Sequence, residues 1–383
     1  SVEAMDEMLG KLVPVAAANA TAEAEELAAA AGHPIEPWDR AFHAERVRRE
    51  RYELDTAALR PYFELERVLH DGVFRAAELL YGLRFAERHD LPRHHPDARV
   101  FDVFDEDGQL GLFVADFYAR DSKRGGAWMS TFVDQSHLLG TRPVVTNTLN
   151  IAKPAGGEPT LLTLDNVRTL FHEFGHALHG LFSDVRYPTF SGTGVPNDFV
   201  EYPSQVNEMW LEHPEILASY ARHHETGEGL DPAVLTRLAE ARAYGEGFAT
   251  TEYLAATLLD QAWHRLAPGE RVADVLAFEA EAIAAAGLDV PSAPPRYRST
   301  YFNHSFGGGY SAAYYSYIWS EVLDADTVEW FNENGGLDRQ AGERFRRGLL
   351  ARGGAEDPMA AYRAFRGRDP EIGPLLARRF RTA

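Results

Sequence analysis

His172-Glu173-Phe174-Gly175-His176 restricts what this chain can fold into more than any other stretch of its 383 residues. Histidines four apart face the same way on a helix. Val167, Leu170, Phe171, Phe174, Ala177, Leu178 and Leu181 recur at threes and fours around them, so the pair is expected on a buried helix that Thr163 or Asp165 can cap. A charged glutamate in such a place is costly without a partner, and water held by a metal ion is a suitable one. Two imidazoles and a glutamate in this pattern can build a hydrolytic zinc centre. The competing reading is a pair of ordinary, partly buried histidines, so the surroundings have to decide.

The chain has no cysteine, so a transition-metal site must use histidine and carboxylate. Catalytic zinc normally has three protein ligands and one open position. A third histidine six residues after His176, with glycine three after it, is excluded by Phe182 and His179 at those positions. A carboxylate from a later helix remains, and a helix capped by Asn197 or Asp198 carries Glu201, Glu208 and Glu212. Glu201 is preferred, because it lies in the first turn beside the glycine-containing loop Ser191 to Asp198, whereas Glu212 sits near Pro214. Glu173 can then take a proton from water and pass it to a leaving amine. Glu208, Gln205 and Ser204 are candidates to orient the imidazoles, with a plain polar helix face as the alternative.

Hydrophobic residues make up 45% of the chain, enough for one large or two medium domains, and the formal net charge of -20 argues against nucleic acid or an anionic membrane as partner. No apolar run approaches the roughly 20 residues of a membrane span, and the first thirty residues lack the basic start of a secretory signal. A cytoplasmic location is the expectation. Val2, Met5, Met8, Leu9 and Leu12 follow a helical period from the first turn, so the chain is expected to be cut from something longer.

Residues 1–95 read as a helical scaffold segment, with Ala-rich helices to about Ala31, an amphipathic run from Ala41 to Leu54, and a further run from Pro61 to His89. His89, His94 and His95, in a Pro-broken linker, read as solvated loop residues. Residues 96–155 read as a small β-containing segment lining the cleft. Val103, Leu112 and Val114 alternate with polar residues, Glu106-Asp107-Gly108 offers a hairpin turn, and Pro143 to Ile151 is a second extended stretch. A sheet edge there can pair with an extended peptide or be a plain hairpin. Residues 156–383 read as one helical catalytic segment. The expected fold is mainly α, with a small sheet beside an active-site cleft.

Near the end lies Tyr301 to Trp319, rich in tyrosine and glycine. Gly307, Gly308 and Gly309 allow a flexible loop that can close over a bound chain. Tyr310, Tyr314 and Tyr317, at i, i+4 and i+7, are expected to present three hydroxyls on one helical face, as donors to an oxyanion or as core packing. His304 alone is ambiguous.

Together these residues resemble the thimet-oligopeptidase family of zinc peptidases, most closely its bacterial peptidyl-dipeptidase branch. Lys123 to Trp128, Phe171 to His176, Asp198 to Gln205 and His304 to Tyr317 look like that family's blocks in its order and spacing. The resemblance implies His172, His176 and Glu201 as ligands of one zinc ion per chain and Glu173 as general base. It implies His304, Tyr310 and Tyr317 as contacts to substrate and transition state, with Tyr314, Gly308 and Gly309 as further substrate contacts. It also implies a helical fold whose two halves enclose a channel for short peptides, of which this chain resembles the C-terminal part. The missing N-terminal half is then an expected partner, and release of C-terminal dipeptides the expected activity. An endo-acting oligopeptidase, or a fragment that binds metal and peptide without turnover, are the alternatives.

Overall fold

A computed structural model describes residues 1–380, which are mainly helical with one five-stranded sheet. They form two compact units. The first comprises Ser1–Leu54, Pro232–Trp319 and the chain from Ile372, and the second comprises Asp55–Asp231 and Ser320–Glu371. Among the described residues no helix is long and apolar enough to cross a membrane.

The second unit holds the sheet: β1 (Arg84–Arg88), β2 (Arg99–Asp105), β3 (Gly108–Tyr118), β4 (Trp128–Val133) and β5 (Val144–Ile151), in spatial order β1-β2-β3-β5-β4. β3 and β5 are parallel and every other pair is antiparallel. The expected hairpin turn joins β2 to β3, with Asp105 opposite Gly108. Two strands fall outside the expected pattern. The helical run expected to reach His89 stops at Gly82, whose φ of 67° ends the helix Arg75–Tyr81, and β1 follows. Phe85 of that strand stacks on Phe74 at 3.9 Å, a contact across the fold that no local period encodes. β4 is an edge strand of mixed polarity, half-buried along most of its length.

His94 is exposed in a loop, as expected, but is also tied to the sheet. Its Nε2 lies 2.8 Å from a carboxylate oxygen of Asp116, a buried residue of β3. Burial works against that carboxylate's charge, but Arg120, His94 and Lys123 outweigh it and hold Asp116 well below the usual range. Lys123 Nζ also donates to the carbonyls of Asp116, Tyr118 and Leu149, which ties the β3–β4 connection to the sheet.

The helix Leu164–Leu181 packs against β5 and the helix Tyr202–Glu208. Thr163 caps it, closing a reciprocal pair of hydrogen bonds with Asn166. In the first unit the helix Val2–Ala31 packs along the helix Glu246–His264. They touch closely at Gly247, where an added β-carbon would lie 2.6 Å from the backbone of Asn19.

Candidate metal centre

His172 and His176 lie on one face of the helix Leu164–Leu181, their rings 5.0 Å apart. Each Nε2 stands 3.2 Å from the same carboxylate oxygen of Glu201. All three donor atoms fall within 4.8 Å of one another. Tetrahedral donors at zinc distances are separated by roughly 3.3–3.4 Å, and both histidine–Glu201 separations are close to that. In the chain alone, burial opposes ionisation, but the contacts with both imidazoles hold Glu201 well below the usual carboxylate range. Against the same opposition, Glu201 and Glu208 raise His172 well above the usual imidazole range.

Local sequence explains why Glu201 comes so close. It joins a single helical turn, Asn197–Val200, to the helix Tyr202–Glu208, and Ser204 Oγ donates to its carbonyl at 2.7 Å. The turn follows Pro196 and has no side-chain cap, where Asn197 or Asp198 is expected to provide one. At Gly175 an added β-carbon would stand 2.6 Å from Ser204 Cα and 2.9 Å from the Pro203 carbonyl. Only glycine allows this approach. Asn207 fastens the same contact by donating its amide to the Phe171 carbonyl at 2.7 Å.

The other candidate carboxylates stand apart from the donor set. Glu208 accepts from His172 Nδ1 at 2.8 Å, which leaves Nε2 directed toward Glu201, and it is also paired with Arg168. Glu212 lies 3.6 Å from the same arginine. Glu173 is buried, and its Oε2 has no hydrogen-bond partner. Burial raises its pKa. Its main-chain carbonyl accepts from the side-chain amide of Asn147 on β5 at 2.6 Å. His179 faces the core, where burial pushes its pKa down to about 3 and keeps it neutral. A second group, His223, His224 and Glu225, also has clustered donor atoms, but His223 Nδ1 already accepts from the N–H groups of Glu225 and Thr226. A metal-binding imidazole donates from its second nitrogen, so this group is the poorer fit.

The histidine and tyrosines near the end of the chain belong to the first unit. They do not share one helical face. The helix begins at Ser316, so Tyr310 and Tyr314 precede it, and Ala312 between them has φ 55°. The side chains cluster nonetheless. His304 lies 5.6 Å from Tyr314 and 6.2 Å from Tyr310, while Tyr310 stacks on Tyr317 at 5.3 Å. Tyr314 is buried against Phe302 and Ala256, which raises its pKa and keeps the phenol neutral. Gly309 has φ 87°, and a β-carbon on Gly308 would crowd the backbone of His304 at 3.1 Å.

Sequence spacing misses Asn147, Asn207 and Arg168, which steady the centre from outside it. One signal was available: Asn147 is a polar residue within an otherwise β-branched run, Val144 to Thr148.

A model of Peptidase family M3 matches residues 1–380. The chain is 49% identical over 383 residues to the dipeptidyl carboxypeptidase of Escherichia coli (strain K12), covering 98% of this chain and 56% of that protein. It is 52% identical over 346 residues to the dipeptidyl carboxypeptidase of Salmonella typhimurium (strain LT2), covering 90% of this chain and 51% of the relative. Against oligopeptidase A of Escherichia coli (strain K12) the identity is 39% over 350 residues, with 89% and 51% covered. The chain thus spans about half the length of the curated relatives it matches. The crystal structure of BsuCP shares the fold, with a TM-score of 0.53 at 12% identity over 98% of this chain and 65% of that one.

Proposed function

Since the chain belongs to peptidase family M3, a family of metallopeptidases, we propose that it carries the zinc centre of an enzyme that hydrolyses short peptides and releases C-terminal dipeptides. One observation carries the proposal: two imidazole nitrogens stand at equal distance from one buried carboxylate oxygen, beside a second buried carboxylate, Glu173, whose Oε2 has no hydrogen-bond partner. His172, His176 and Glu201 would hold one zinc ion per chain. Zinc in such a site supplies a Lewis acid for the scissile carbonyl and a lowered pKa for water. Glu208 fixes the tautomer of His172. Glu173 takes the proton from the attacking water and returns it to the amine nitrogen as the peptide C–N bond breaks. His304, Tyr310 and Tyr317 contact the substrate and its developing oxyanion, and Tyr314, Gly308 and Gly309 shape the ground it lies on.

Dipeptide release is favoured by the two dipeptidyl carboxypeptidase relatives, which are 49% and 52% identical. Oligopeptidase A, at 39%, supports the rival endo-acting reading. The chain spans about half of these proteins, so an N-terminal half is the proposed partner, and a piece that binds metal and peptide without turnover is the third reading. A cytoplasmic location completes the proposal.

Elemental analysis of the purified chain, with and without added zinc, tests this together with an assay on a short peptide bearing a free C-terminus. One zinc and successive dipeptides support the proposal, and a single internal cut favours the oligopeptidase. One zinc without products assigns turnover to the longer enzyme. No zinc under either condition rejects the centre.

A further inference from the structure

The segment that carries His304, Tyr310, Tyr314 and Tyr317 has little regular structure of its own: one turn, Asn303–Phe306, three glycines, and further turns before the helix at Ser316. Its polar backbone groups therefore need partners from elsewhere. Side chains of a single helix, Glu246–His264, provide many of them. Asp260 is wholly buried. One of its oxygens accepts from the Ser305 hydroxyl at 2.5 Å and from the Ala312 N–H at 3.1 Å, and the other accepts from the Tyr314 N–H at 3.1 Å. His264 Nδ1 stands 3.0 Å from the first oxygen. Gln261 donates its amide to the Ala312 carbonyl at 2.9 Å, and the Tyr253 hydroxyl donates to the Tyr314 carbonyl at 2.5 Å. The backbone N–H and C=O of both Ala312 and Tyr314 are thus satisfied by one helix.

These contacts hold an unfavourable backbone. Ala312 has φ 55°, a conformation that a β-carbon disfavours and that persists only where the surroundings impose it. The grip falls on Ser305, ahead of the three glycines, and on Ala312 and Tyr314, after them. Ser305 adjoins His304, and Ala312 stands two residues from Tyr310. One carboxylate therefore sets where His304 stands relative to the tyrosines. We propose that Asp260 is a positioning residue for the substrate contacts, acting through Ser305, Ala312 and Tyr314 without touching substrate itself. The inference rests on His304 and the tyrosines being those contacts.

Asp260→Asn in this chain is the test, because it keeps the side chain's shape but turns one acceptor into a donor facing the bound N–H or hydroxyl groups. The measurements are zinc content, Tm, hydrogen exchange at the Ala312 and Tyr314 amides, and kinetics on a short peptide. The expected result is a fall in kcat/KM of about ten- to a hundredfold, mostly in kcat, with zinc content unchanged. Exchange at the two amides should quicken by about an order of magnitude. Adding Ala312→Gly should recover part of the loss, since glycine takes a positive φ without being held there. If Asp260→Asn does not fold, Ser305→Ala removes one donor and leaves the carboxylate, and a fall in kcat/KM of a few-fold at unchanged zinc and Tm is expected. Unchanged kinetics and exchange in a folded variant overturn the proposal. So does a loss that merely tracks the folded fraction and that Ala312→Gly does not relieve. Should the unsubstituted chain turn over no peptide, the proposed activity of this chain fails, while amide exchange still decides whether Asp260 holds the segment.

Discussion

The His172–Glu201 group and the His304–Tyr317 segment hold side chains in fixed relation by opposite means. In the first, an 18-residue helix sets the spacing of the imidazoles, and close packing at Gly175 brings the carboxylate to them. In the second, irregular backbone is held by hydrogen bonds to Asp260, Gln261 and Tyr253 of one helix. Packing of regular elements is hard to deform, whereas a hydrogen-bonded segment can shift without unfolding what surrounds it. Substitutions in the donor set of the first region and in the packing that places it should therefore act on metal affinity, and those in the second on kinetics with metal retained.

The largest effect is expected from Glu201→Ala, which should leave less than one zinc per chain by elemental analysis and abolish any turnover. A variant that still holds one zinc tightly would move the ligand role to Glu208 or Glu212. Next comes Glu173→Gln, which sharpens the comparison from inside the first region, because Glu173 is outside the donor set. Zinc content should stay at one, and kcat should fall by about 10²- to 10⁴-fold. Full activity in that variant would remove Glu173 from the role of base.

Why one region was legible in the sequence and the other only in part follows from the same contrast. Helical period places His172 and His176 on one face, and the absence of cysteine with the residues at His179 and Phe182 leaves a carboxylate as third donor. The mainly helical fold, the small sheet and the turn at Gly108 are likewise local signals. Local period fails at β1, where Gly82 ends the helix and Phe85 is held by Phe74. It fails again at Tyr310 and Tyr314, where i, i+4 spacing suggests a helix that Asp260, some fifty residues earlier in sequence, replaces with turns. A buried carboxylate that binds distant backbone leaves no periodic trace. The block Lys123 to Trp128 shows a related limit, since Lys123 spends its ammonium group on three carbonyls and Asp116.

Gly175→Ala tests whether packing governs the first region. A β-carbon 2.6 Å from Ser204 Cα must push the two helices apart, at a cost of about 1–3 kcal/mol. Zinc affinity should fall by about tenfold or more as Glu201 withdraws from the histidines. Normal affinity at lowered Tm would separate Gly175 from the placement of Glu201. Glu208→Gln should act more narrowly, lowering zinc affinity by about ten- to a hundredfold through the orientation of His172 while Tm stays near the parent's. Isothermal titration against a competing chelator distinguishes the two, because only the glycine variant should lose stability along with affinity.

The smallest effect is expected where the logic of Gly175 is reversed. Ala312 occupies a left-handed conformation, φ 55°, in which its β-carbon costs about 1–2 kcal/mol. Ala312→Gly removes that cost but enlarges the freedom of the unfolded chain, a loss of about 0.4–1 kcal/mol. The two nearly cancel, so Tm should move by no more than about 2–4 °C, upward if at all. Zinc content should not change. With Asp260 intact the segment is still held at Ser305 and Tyr314, so kcat/KM should also stay near the parent value. A large loss of stability would mean that Ala312 packs through its methyl group, and the segment would then be held by packing as the histidine helix is. Near-neutrality, set beside a damaging Gly175→Ala, would show that small-residue positions in the two regions answer to different forces: a steric approach between helices in one, and backbone torsion held by a distant carboxylate in the other.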